Sequence, residues 1–233
     1  MPRKITKSVY QYDELSDKAK EKAREWFREV SQGDEWWDST YDDAVEIAAL
    51  FGLEISTRVE KWHVMGRDGK PGRDGQSVRT NIMFSGFSSQ GDGACFEGDY
   101  SYKADALEAV KQYAPTDTRL HGIVEELQAA QACVGNRVKF SIRHTDNHYC
   151  HEHTMTMELS DDTTDENGEE LPADELVTIE MAKPVEEALI RFANWIYRQL
   201  EKEYDYQNSD ENVADNIRAN EYEFESDGSR TRD

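Results

Sequence analysis

The order in which helical and strand periodicities appear most limits how this chain can fold. Apolar residues recur at helical spacing through Leu15, Ala19, Ala23, Trp26, Phe27 and Val30, with Asp13 or Ser16 placed to cap the start. The pattern repeats through Trp37, Tyr41, Ala44, Ala48 and Phe51, and Gly52 suits a left-handed stop. The texture then changes: residues 53–65 and 78–87 are rich in β-branched and aromatic side chains, and 94–102 alternates as a strand does. Helical spacing returns over 104–113, before Pro115, and over 118–134 through Leu120, Ile123, Val124, Leu127 and Val134. Two further strands fit 137–145 and 148–159, and a solvated acidic loop fits 160–175. The longest helix is predicted to begin near Pro184, a favoured first-turn residue followed by Glu186 and Glu187, with the stripe Val185, Leu189, Phe192, Ile196, Leu200. A last helix is predicted to start near Ser209, and 221–225 fits a short strand.

Helices and strands therefore come in blocks rather than as a βαβ alternation. That order predicts an α+β fold, a largely antiparallel sheet packed with several helices and ending in a long C-terminal helix. A single domain over 1–225 is expected, with a helical part at 14–52, a sheet-rich middle at 53–160, an acidic helical part at 176–225, and a flexible tail at 226–233. The chain has 8 Phe, 11 Tyr and 5 Trp, too many large apolar groups for a disordered polyanion. No apolar run approaches a membrane span, and Met1-Pro2-Arg3-Lys4 has no hydrophobic segment behind it, so a cytoplasmic protein without a signal peptide is expected. Cys95, Cys133 and Cys150 are an odd count without a Cys-x-x-Cys pair, which predicts reduced thiols.

Charge narrows the class of partner. The formal net charge is −22, from 49 acids and 27 bases. Residues 158–233 hold 23 acids against 7 bases, and residues 1–157 hold 26 against 20. Such a field disfavours direct nucleic-acid binding and anionic membrane and favours basic protein surfaces. The acids Asp161, Asp162, Asp165, Glu166, Glu169 and Glu170 of the loop, with Glu201, Glu203, Asp205, Asp210 and Glu211 of the last helices, are the expected partner-binding face.

Two segments carry the remaining chemistry. The stretch Phe84-Ser-Gly-Phe-Ser-Ser-Gln-Gly-Asp-Gly-Ala-Cys-Phe96 is rich in glycine and serine, and Ser88, Ser89, Gln90 and Asp92 are its ligand-loop candidates. Backbone N–H groups there would make an anion nest, but the Gly-Lys-Ser/Thr ending of a phosphate loop is absent, and Asp92-Gly93 equally suits a tight hairpin. His144, His148, His151 and His153 cluster around Cys150 and Glu152. On an extended strand His151 and His153 share a face, and His144 would join them across the turn at Asp146-Asn147, a set suited to a divalent metal. No motif implies any other cofactor. Glycines at 66, 69, 72 and 75 around Arg67, Lys70 and Arg73 read as a mobile basic loop. No nucleophile elbow is present, and no catalytic residue is assigned.

Several segments taken together carry a resemblance. They are Tyr12-Asp-Glu-Leu-Ser16, Trp36-Trp37, Phe84-Ser-Gly-Phe87 leading to Gln90-Gly-Asp-Gly-Ala-Cys-Phe96, Tyr113-Ala-Pro115, the run Trp195 to Tyr204, and Asn220-Glu-Tyr-Glu-Phe224. The chain resembles a family of phage and prophage accessory proteins of undetermined biochemistry, some labelled antitoxins of toxin–antitoxin stability systems. The likeness implies a setting in the cytoplasm of an infected or lysogenic bacterium, and the neutralising of another protein. With the acidity, it predicts an inhibitor that binds a host protein with a basic surface: a nuclease, CRISPR effector, restriction system or toxin. A nucleic-acid mimic is one form of that inhibitor. The alternative is a metal- or ligand-binding enzyme using the 84–96 loop and the His144–His153 cluster.

Overall fold

The computed structural model describes residues 7–31, 35–65, 72–146, 148–160, 172 and 176–231. In chain order they form β1 (Tyr10–Gln11), α1 (Asp17–Ser31), α2 (Asp38–Leu50), β2 (Leu53–Ile55), β3 (Thr57–Val64), β4 (Arg73–Thr80), β5 (Ile82–Phe84), β6 (Ala94–Phe96) and β7 (Gly98–Ser101). They continue as α3 (Ala106–Tyr113), α4 (Thr118–Cys133), β8 (Lys139–His144), β9 (Met155–Leu159), α5 (Ile179–Gln207), α6 (Asp210–Ala219) and β10 (Glu223–Phe224). The strand pairs β1–β10, β2–β7, β3–β4, β5–β6, β7–β8 and β8–β9 are all antiparallel, so the fold is α+β as expected. No helix among the described residues is long and apolar enough to cross a membrane.

The chain divides into two compact units, residues 39–199 and residues 1–38 with 200–233. In the first, a four-stranded sheet runs in the order β2-β7-β8-β9, with Leu53 opposite Tyr100, Gly98 opposite Ile142, and Ile142 opposite Met157. Alternate residues Phe140 and Ile142 of β8 are buried, as the period of two requires. The core is aromatic at its centre: Phe192 of α5 lies edge-on to Phe51 and Phe96 and stacks on Trp195. Gln131 is fully buried yet satisfied, donating to Tyr100 and to the Val138 carbonyl while accepting from the Val138 N–H. Asp117 caps α4 with one carboxylate oxygen on the Leu120 N–H, and its other oxygen takes the indole N–H of Trp195 at 2.8 Å.

Helix α5 starts five residues before the expected Pro184. Thr178 supplies the reason, because its hydroxyl accepts from the Met181 N–H and its carbonyl from the Ala182 N–H. Pro184 then sits inside the helix and leaves the Glu180 carbonyl without its usual donor. The buried stripe Val185, Ala188, Leu189, Phe192 and Ile196 outweighs that loss.

The second unit packs α1 and α6 around Tyr12, Leu15, Ala19, Ala23, Val213, Ala214, Ile217 and Phe224. Residues 226–231, where a flexible tail is expected from sequence, fold back: Phe224 bridges to Arg230, whose guanidinium lies over the rings of Tyr222 and Trp26. Gly228 makes this turn at φ +86°, and a Cβ there would stand 2.1 Å from the Ala19 carbonyl oxygen, so no other residue fits. Trp36 and Trp37 are both half-buried and meet edge to face.

Candidate metal centre

Three elements of the sheet-containing unit bring soft ligands to one point. Cys95 is the middle residue of β6, opposite Met83, and is fully buried because all of β6 faces the interior. His144 closes β8. Cys150 lies in the connection from β8 to a 3-10 turn at Glu152–Thr154. One ligand atom from each of Cys95, His144 and Cys150 lies within 4.8 Å of the others. Burial is the main cause that pushes the Cys95 thiol up to about 12, with the neighbouring Cys150 second. A soft cation would reverse that balance, since a coordinated thiol loses its proton.

The connection that carries Cys150 is built by turn chemistry rather than by pairing. The Asp146 carboxylate accepts the N–H groups of His148 and Tyr149 at 2.7 and 2.9 Å, and these bonds hold it below the usual carboxylate range. The Thr154 hydroxyl donates to the His151 carbonyl and accepts the His151 N–H, closing the 3-10 turn. Thr145 N–H to Thr154 carbonyl ties the two ends of the segment together. His144 is oriented from both sides: its backbone N–H donates to Glu97, and its Nε2 lies 2.8 Å from the Tyr149 carbonyl. A carbonyl only accepts, so Nε2 donates this bond, and the neutral ring then presents the lone pair of Nδ1. An outer hydrogen bond of this kind, fixing a ring tautomer, is typical of a metal-ligating histidine.

The family whose model matches the chain is a domain of unknown function, DUF8835, over residues 36–210, more than half of the sequence. The chain belongs to the DUF8835 family. Nothing among curated proteins, and nothing among solved structures, matches it. The DUF8835 segment contains Cys95, His144 and Cys150 and the whole 39–199 unit.

Within the DUF8835 segment the expected histidine set divides. The strand expected over 148–159 forms only over Met155–Leu159, because Asp146 and Thr154 draw the preceding residues into turns. His151 and His153 therefore do not share a strand face. His151 Nδ1 instead accepts the His153 N–H at 3.1 Å, and of the three only His144 belongs to the converging group. Cys95 and Cys150 are the two members of the converging group that the expected set of His144, His151 and His153 lacks. Cys95 is far from His144 and Cys150 in the chain, and it reaches them because β6 packs against β8 and the 3-10 turn.

The 84–96 segment of this DUF8835 chain is a hairpin, with Phe84 opposite Ala94. Its N–H groups at Ser88 and Ser89 point to the Asp92 carboxylate at 2.9 and 2.6 Å, so the anion of this nest is the loop's own side chain. Gln90 is exposed. Ser85 reaches from the same loop to donate to the Cys150 carbonyl, which braces the thiol-bearing segment.

The acids expected to bind a partner fall into three groups. Asp161, Asp162, Asp165, Glu166, Glu169 and Glu170 lie outside the described residues. Asp210 is engaged by Arg28 at 2.6 Å and Arg24 at 3.2 Å, and these pairs lower its pKa. Glu203 accepts from Gln207, Glu201 is half-buried, and Asp205 and Glu211 are exposed.

Proposed function

We propose that this DUF8835 protein binds a zinc-class metal ion through Cys95, His144 and Cys150. The convergence of two thiols and an imidazole, the imidazole with its tautomer already fixed, is the observation that carries this reading. Thiolate and imidazole ligands suit zinc and its soft neighbours and reject magnesium and calcium, which take oxygen. Three protein ligands leave one tetrahedral position for water or a bound group. An ion there would join β6, the end of β8 and the Cys150 segment. The test is metal analysis of untagged protein purified without chelator. About one zinc per chain is expected, since the three side chains form a single site with one open position, and Cys95→Ser, His144→Ala and Cys150→Ser should each abolish it. Equal zinc in all four proteins, or none in the parent after zinc loading, overturns the reading.

A second reading concerns what the protein binds, and the net charge of −22 supports it. On this reading the chain is a phage or prophage inhibitor acting in the bacterial cytoplasm. It captures a basic host protein such as a nuclease, CRISPR effector, restriction system or toxin, with acids standing in for phosphates. Asp205 and Glu211 are the residues to change, since Asp210 is engaged by two arginines. Capture of a basic host protein should be released by salt and weakened in an Asp205→Asn, Glu211→Gln variant. Capture that ignores both salt and these changes argues against it.

A further inference from the structure

The β3–β4 hairpin is an outlier in this fold. Its two strands pair over eight residues each, from Thr57 opposite Thr80 to Val64 opposite Arg73, yet none of the sixteen residues is buried. A two-stranded hairpin that covers nothing is marginal in water, and exposed strand edges invite pairing by another chain. Apolar side chains occupy both faces. Val59 and Val78 sit opposite each other at 58% and 68% exposure, and Trp62 and Val64 on the other face are 47% and 58% exposed. The Trp62 ring lies across Gly75, where a Cβ would stand 2.0 Å from it, which leaves the indole as a flat platform with its far side open.

Charge separates the hairpin from the rest of the chain. Its two strands hold four bases (Arg58, Lys61, Arg73, Arg79) against two acids (Glu60, Asp74), so the remaining residues carry 23 bases against 47 acids. We propose that the β3–β4 hairpin is an assembly arm that docks on the acidic surface of a second copy of this chain. The arm brings the exposed indole and valines that an interface centre requires, and its net positive charge meets a strongly negative body. The inference is independent of the metal reading, since neither the arm's residues nor its charge touches that argument.

Sedimentation velocity of the untagged full chain, over a concentration series at low and high salt, tests it. The expected mass rises above the single-chain 26.8 kDa with concentration and falls back as salt is added. A Trp62→Ala, Val64→Ser variant and a Lys61→Glu, Arg73→Glu variant should each weaken association at least about ten-fold, as loss of a central anchor does. If the first variant loses its far-UV spectrum, Val59→Ser with Val78→Ser replaces it on the opposite face. A single-chain mass under every condition, or association indifferent to these variants, overturns the proposal. So does arm-dependent binding of an oligonucleotide or of a different protein with no self-association.

Discussion

Two hairpins follow one another in this chain and could hardly differ more. β3–β4 pairs eight residues per strand and buries none of them, whereas β5–β6 pairs three per strand and buries the whole of β6. Pairing length is therefore not what stabilises a hairpin here. The short one has Ala94, Cys95 and Phe96 inside and a core aromatic, Phe192, against Phe96. The long one has its backbone ladder and, among the described residues, side-chain contacts that stay partly in water. Burial decides, and the buried hairpin also carries the candidate ligand Cys95.

The largest test of that contrast compares one truncation in each. Phe96→Ala empties a fully buried site beside Phe192 and should cost about 3–5 kcal/mol. Val78→Ala on the arm should stay within about 0.5 kcal/mol. Urea unfolding of both variants measures the difference, and similar midpoints would remove the distinction between the hairpins.

Metal comes next. If Cys95, His144 and Cys150 hold zinc, zinc at 100 times its Kd adds about 2.7 kcal/mol to folding. Amide exchange should slow at 94–96 and 148–155, with β3 and β4 unchanged. Uniform protection across both hairpins would mean that the ion acts elsewhere.

Glycine substitutions sharpen the comparison further. A Cβ on Gly93 would stand 2.5 Å from the Cβ and 2.9 Å from the Cα of His151, so backbone must move, at a cost of about 1–3 kcal/mol. On Gly75 the added methyl meets the ring of exposed Trp62, which can swing away. Gly75→Ala should shift the tryptophan fluorescence while leaving the unfolding midpoint almost unchanged.

The same contrast explains what the sequence could and could not disclose. The stripe from Val185 to Leu200 was legible, because it depends on neighbours in sequence, whereas the single alternating strand expected over 94–102 divides at Glu97 into β6, buried throughout, and β7, which alone alternates. The start of α5 was misplaced because Pro184 is a louder signal than the Thr178 cap that sets it. The second strand of the arm, β4, begins at Arg73, inside a stretch whose glycines read as loop, since cross-strand pairing overrides weak propensity. At the candidate site His144 was legible from its cluster. Cys95 and Cys150 were not, because their approach depends on how β6 packs against β8 and the 3-10 turn, and His151 and His153 lose their expected common strand face where local turn bonds beat strand extension.

The smallest effect belongs to the arm's own ion pairs. Glu60 accepts from Arg58 at 2.8 and 2.9 Å and lies 3.6 Å from Arg79, both on the face that carries Trp62. All three side chains remain partly in water, where such a pair contributes less than about 1 kcal/mol and less again in salt. Glu60→Gln should therefore barely move the unfolding midpoint. It does raise the arm's net positive charge by one, so it should tighten the association proposed for the arm at low salt and lose that effect as salt is added. A stability loss comparable to that of Phe96→Ala would show that ion pairs hold this hairpin as firmly as burial holds its neighbour. Unchanged stability with tighter association separates the two roles that the same exposed strand could have, holding itself together and holding another chain.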